Sequence, residues 1–187
     1  MWKGLQEQCW KKSNWQMKKI TISEYTGAYK SQVAELIVGI QQNEFHIPIT
    51  IEQQPDLNDI TGFYQQAKGN FWLALADDRV IGTIALLDIG NELGALRKMF
   101  VEAEYRGKQY GTGQMLLDRL SEHAQQKGFK EILLGTTEKF IAAHRFYEKN
   151  NFTAISKNDL PKVFPVMQVD TKFYKKELLQ NAIENQT

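Results

Sequence analysis

The chain has 187 residues, of which 42% are apolar and 24% charged, ordinary proportions for one globular domain with its own core. Lys and Arg total 23 against 22 Asp and Glu, a formal net charge of +1, which argues against a nucleic-acid binder or a polybasic membrane binder. One cysteine, Cys9, excludes an internal disulfide and a Cys-rich zinc site, and His46, His123 and His144 lie far apart with no metal-ligand spacing, so no metal is expected.

No apolar run approaches the ~20 residues of a membrane span, and the start lacks the apolar core of a signal peptide, so a cytoplasmic protein without membrane partners is expected. Residues 1–16 stand apart: they hold three of the four tryptophans and the cysteine and show no period. Met17-Lys18-Lys19-Ile20 reads as a translation start. That makes 1–16 an upstream extension, with an accessory segment that docks its tryptophans as the alternative, and 17–187 a single domain.

Ile20 and Ile22 alternate with polar neighbours and predict a strand over 18–25. Val33, Leu36, Ile37 and Ile40 share one helical face and predict a helix over 28–42. Pro48 and Pro55 open a loop-rich stretch, 43–57, and a second helix is predicted over 56–67. A three-strand meander follows at Phe71–Ala76, Val80–Ile89 and Leu96–Val101. Glu102–Tyr110 reads as a charged loop. Thr112–Lys127 is the clearest helix, with Leu116, Leu117, Leu120 and Ala124 on one face and Gly128 just past its end. Then come a short buried strand, Glu131–Gly135, and a helix over Thr137–Asn150 with Thr137 as its N-cap and Asn150-Asn151 as a left-handed stop. Strands are predicted at 152–156 and 164–169, and a terminal helix over 171–183. This order predicts an α/β domain on one mixed sheet of six or seven strands.

The chemistry concentrates in the loop 105–113, YRGKQYGTG, which runs into the Thr112 helix. The first N–H groups of a helix have no partner in the helix and carry the positive end of its dipole. Gly107, Gly111 and Gly113 permit tight turns, and Arg106 and Lys108 add charge, so a phosphate or diphosphate site is one reading and a plain helix start is the other. A P-loop is excluded because GxxxxGK[ST] does not occur. The dinucleotide fingerprint fails because Leu116 stands where its third glycine belongs.

LRKMFVEAEYRGKQYGTGQMLLDRL, EILLGTT and AAHRFYEKNNF together closely resemble the GNAT acetyltransferases, which use acetyl-coenzyme A. The family's loop Q/R-x-x-G-x-G/A fits best as Lys108-Gln109-Tyr110-Gly111-Thr112-Gly113, and a second register begins at Arg106. The pattern A-x-x-F-Y-E-K-x-G-F reads Ala143-His144-Arg145-Phe146-Tyr147-Glu148-Lys149-Asn150-Asn151-Phe152, with Asn151 in place of the glycine and Phe140 where an Asn is common.

The resemblance implies a sheet whose third meander strand and Glu131–Gly135 strand splay apart. In that gap Met99, Phe100 and Val101 would pair with pantetheine, and the amides of Gln109–Gly113 would hold the diphosphate. Ala143, His144, Phe146, Tyr147 and Lys149 would border the cofactor. It also implies Tyr147 as the general acid that protonates the departing thiolate. The plainer reading of Tyr147 is a core aromatic whose hydroxyl has found a hydrogen-bond partner. The acceptor is expected to be a primary amine on a small molecule or peptide. Four carboxylates, Glu44, Asp56, Asp88 and Glu92, are candidate bases, with Glu44 favoured. A non-catalytic acyl-coenzyme A sensor and a transferase of longer acyl groups are the alternatives. The C-terminal strands and the tryptophan-rich leader each offer a surface for a homodimer.

Overall fold

The structure is a computed structural model and describes residues 19–178. The tryptophan-rich leader and the last five positions of the predicted terminal helix, 179–183, lie outside those residues. Seven strands form one sheet: β1 (Ile20–Glu24), β2 (Asn70–Ala76), β3 (Arg79–Asp88), β4 (Leu93–Val101), β5 (Glu131–Thr136), β6 (Thr153–Ile155) and β7 (Lys172–Glu177), in the order β1-β2-β3-β4-β5-β7-β6. Every pairing is antiparallel except β4 with β5.

One face of the sheet is covered by α4 (Thr112–Gln126). Its Leu116, Leu117, Leu120 and Ala124 are fully buried against Trp72, Ile84 and Ile132, as the predicted apolar stripe requires. The other face is covered by α1 (Lys30–Gly39), α2 (Pro55–Asn58) and α3 (Ile60–Tyr64), whose Val33, Ile37, Leu57 and Tyr64 pack on Phe71, Leu73 and Ala85. The last turn of α1 widens into a π turn, Ile40–Glu44, closed by the Phe45 N–H on the Ile40 carbonyl. Among the described residues no helix is long and apolar enough to cross a membrane.

Four sequence expectations need correction. The single helix over 56–67 is two, because Asp59 leaves the helical conformation, with ψ 73°, and turns its carboxylate to accept the Gly62 N–H at 2.8 Å. The helix predicted from Thr137 starts at Ile141 instead: α5 is Ile141–Lys149. Residues 137–140 make a turn in which the Thr137 carbonyl accepts the Phe140 N–H, so Thr137 is no cap. The stretch 164–169 is a series of turns, with Phe164 N–H on the Pro161 carbonyl and Asp170 N–H on that of Met167. Pro165 suits that geometry and cannot donate to a ladder. Finally, 172–177 is strand rather than helix. Its Lys/Glu content favours a helix, but Phe173 and Tyr174 bury on opposite sides of the sheet, which only a strand allows for neighbours.

The stop after α5 behaves as predicted: Asn151 has φ +65°, the left-handed conformation that the family's glycine would supply. Asn151→Ala is therefore expected to cost about 1 kcal/mol in urea unfolding, and Asn151→Gly to be neutral within ~0.5 kcal/mol. Equal stability of the Ala variant would show that the turn is not strained.

Candidate active site

The site begins where two strands part. β4 and β5 pair only at Leu93↔Glu131, Gly94↔Ile132 and Ala95↔Leu133. Beyond that point β5 stays with β7 up to Thr136 and β4 stays with β3 up to Val101. The main chain of β4 after Ala95 thus faces β5 across an open wedge, as the resemblance implied. A register shift in the β3–β4 pairing, with Lys98 at φ +50°, marks a bulge in β4 just before Met99.

A cleft of about 820 Å³ lies along this wedge, the size of an ordinary small-molecule site. Met99, Phe100 and Val101 form one wall, α5 the opposite wall through Ala143, Phe146, Tyr147 and Lys149, and the loop before α4 one end. Gly113 sits between them: a Cβ built there would stand 3.7 Å from the Met99 methyl and 3.8 Å from the Phe146 ring. The cleft therefore narrows onto backbone at this point.

That end is the start of α4. Gly111 caps it in the left-handed conformation, φ +65°, and no side chain caps the helix. The N–H groups of Thr112, Gly113 and Gln114 meet no main-chain acceptor among the described residues. Gly111 departs from expectation, since its own N–H is taken by the Gly107 carbonyl at 3.1 Å. That bond closes the loop into the turn that leaves the next three amides open. Gly107 and Lys108 also line the cleft.

Gln109, Tyr110, Thr112 and His144 do not line it with the rest. Tyr110 packs on the Tyr105 ring 5.3 Å away. The Thr112 hydroxyl is buried without a hydrogen bond. The His144 ring is drawn off by the Thr137 carbonyl, 3.0 Å from Nε2, and by Tyr174. Of the four, Thr112 keeps an open main-chain N–H at the helix start, while that of His144 is taken by the Phe140 carbonyl at 3.2 Å.

Tyr147 is 6% exposed and enclosed by Phe146, Phe152 and Tyr174. Its hydroxyl makes no hydrogen bond to any described residue, although the neighbouring Tyr174 hydroxyl donates to Glu148 at 2.9 Å. A core tyrosine normally finds a partner. Burial, with a smaller contribution from Tyr174, pushes the Tyr147 phenol well above its ordinary value, so it stays protonated.

The four candidate carboxylates separate cleanly. Asp56 is bound by Lys98 and Tyr64, Asp88 by the Lys68 and Gly90 amides, and Glu92 by Lys130. Glu44 alone lines the cleft, at the end of the π turn. Both its oxygens lie on the Arg106 guanidinium, with Oε2 2.7 Å from Nη2, while Arg106 Nε donates to the Val101 carbonyl at 2.7 Å. Arg106 is thus held by Glu44 rather than turned to the helix start.

Phe45 and Gln114, which also line the cleft, carry no signal in the sequence, and Phe140 shows there only as a departure from the family pattern. Phe45 and Phe140 stack edge to face at 4.4 Å and close one side. They are 95 positions apart, and no local signal joins them. Gln114 donates from Nε2 to Asn150 Oδ1 at 2.8 Å, and Asn150 donates to the Phe146 carbonyl at 2.9 Å. This chain of bonds locks the first turn of α4 to the end of α5 and so fixes Tyr147 relative to the open amides.

The acetyltransferase (GNAT) family model matches residues 35–152, which spans the wedge, the uncapped helix and Tyr147. The chain belongs to this family. It is similar to an acetyltransferase of the GNAT family from Staphylococcus aureus Mu50, with 41% identity and a TM-score of 0.83 over 86% of this chain and 100% of that one. It is also similar to N-acetylaspartate synthetase of Xenopus tropicalis, 38% identical over 101 residues, or 52% of this chain. The chain spans only 36% of the length of that relative. The PaiA N-acetyltransferase of Thermoplasma acidophilum, solved with coenzyme A, shares the fold at 20% identity and a TM-score of 0.67 over 85% of this chain and 99% of that one.

Proposed function

We propose that this protein moves the acetyl group of acetyl-coenzyme A directly to a primary amine on a small molecule or peptide, as an enzyme of the cytoplasm. The observation that carries this reading is convergence: the open helix amides of Gly113 and Gln114, next in the chain to that of Thr112, border one cleft with an unpaired strand edge and an unpartnered phenol. The amides of Thr112, Gly113 and Gln114 hold the diphosphate, and Lys108 and Lys149 add charge at the rim. Met99–Val101 offers main-chain groups to the pantetheine arm, and one N–H there polarises the acyl carbonyl.

An amine with pKa near 10 must lose a proton before it attacks. Glu44 takes that proton, once Arg106 turns from it towards the diphosphate. The nitrogen bonds to the carbonyl carbon, the carbon–sulfur bond breaks, Tyr147 gives its proton to the departing sulfur, and the nitrogen's remaining extra proton restores the phenol. Burial keeps the phenol protonated, so the proton is there to give. The test is release of free thiol from acetyl-coenzyme A against a broad panel of amines. Thiol release that depends on an amine supports transfer; tight cofactor binding with no release from any amine would make the protein a sensor, and preference for longer acyl donors would change the group moved.

A further inference from the structure

The bulge in β4 has a consequence on the face of the sheet away from α4. A regular strand would send Arg97 and Lys98 to opposite faces. Here both reach the same side: Arg97 Nη2 lies 2.8 Å from the Met167 sulfur, and the Lys98 amine lies 3.1 Å from Asp56 and 2.7 Å from Gln54. The charge of Arg97 is felt at both Tyr64 and Lys98. Two adjacent cations thus share one partly buried place, and only Lys98 has a carboxylate bonded to it.

Arg97 is half-buried, and a thioether is its only hydrogen-bond partner among the described residues. A guanidinium has five donors, and a thioether is a weak acceptor. Partly buried cations are ordinarily paired with something better. Asp170 is near enough to feel the charge of Arg97 but makes no hydrogen bond to it; its carboxylate instead accepts the Met167 N–H at 2.9 Å and packs on Gly135, where a Cβ would stand 2.3 Å from it. That bond sets Met167 over Arg97 as a soft cover.

Arg97 is also well placed. β4 and β5 cease to pair after Ala95↔Leu133, so Arg97 on one strand and Gly135 on the other flank the root of the wedge. Met99, two residues on and turned by the bulge to the α4 side, lines the cleft, which Arg97 itself does not; Arg97 approaches the wedge from the opposite face. We propose that Arg97 is the carboxylate anchor of the acceptor site, displacing Met167, and that the acceptor is an amino acid or another amine with a free carboxylate beside it. This rests on the acetyl-transfer reading and adds the class of acceptor.

The test compares, in the thiol-release assay with acetyl-coenzyme A, the standard amino acids, their amides, and the matching amines that lack the carboxylate. At least one free amino acid is expected to exceed its amide and its amine about thirtyfold in kcat/KM. Arg97→Gln should raise KM for that amino acid and erase the preference, with KM for acetyl-coenzyme A unchanged within twofold, and Arg97→Lys should restore part of it. Amides or simple amines used as well as amino acids by the unaltered protein would overturn the anchor and leave acetyl transfer standing. No thiol release from any compound would overturn the transfer reading and the anchor with it.

Discussion

Tyr147→Phe is expected to lower kcat about a hundredfold while coenzyme A affinity stays within about twofold. The substitution removes one oxygen that makes no hydrogen bond to any other described residue, so no internal hydrogen bond is lost and the ring packing against Phe146, Phe152 and Tyr174 survives. General acids contribute roughly 10²–10⁴-fold, and a thiolate leaving group with a conjugate-acid pKa near 8.5 sits at the low end. The pH dependence follows from the direction of the shift. Burial raises the phenol, so its proton is present below and through its ordinary value of about 10 and is lost only above it. The kcat profile should therefore show no alkaline fall from this group below about pH 10. Unaltered turnover in the Phe variant would remove Tyr147 from the reaction and return it to the core.

Asp56→Ala is expected to destabilise the fold by about 3–5 kcal/mol, the largest effect of any single carboxylate here. Its carboxylate is buried and accepts from Tyr64 at 2.5 Å and pairs with Lys98 at 3.1 Å, with both side chains under a tenth exposed. Burial pulls the Lys98 amine below its ordinary value, and Asp56 is what holds it up. Without Asp56 the ammonium must either stay buried unpaired or lose its proton. The double variant Asp56→Leu with Lys98→Met should recover most of the loss, because the cost lies in the orphaned charge and not in the missing pair. Urea unfolding with an unchanged m-value checks both; a single-variant loss under ~1 kcal/mol would show that the pair is solvated.

What could be seen in the sequence was what depends on neighbours along the chain. The Leu116–Leu120 stripe of α4, the meander turns, and the Asn151 stop each follow from local period or backbone preference, and the structure carries all three. The glycine loop was visible as well, but not that Gly107 would consume the Gly111 amide. The Lys and Glu of β7 favour a helix, while its place between β5 and β6 is decided by partners up to 46 residues away. Still longer separations hide the Glu44–Arg106 pair and the Phe45–Phe140 contact. The bulge at Lys98 left no mark at all: positive φ at a lysine is a tertiary outcome, with the Thr83 hydroxyl donating to the Lys98 carbonyl at 2.7 Å.

The helix start itself is tested most directly by calorimetric titration of coenzyme A beside pantetheine, which has the same thiol arm and no diphosphate. Two charge-assisted bonds from the α4 amides contribute about 3 kcal/mol or more, so pantetheine should bind at least a hundredfold more weakly. Equal affinity of the two would mean that the open amides of Thr112, Gly113 and Gln114 grip nothing, and the account of the cleft would fail.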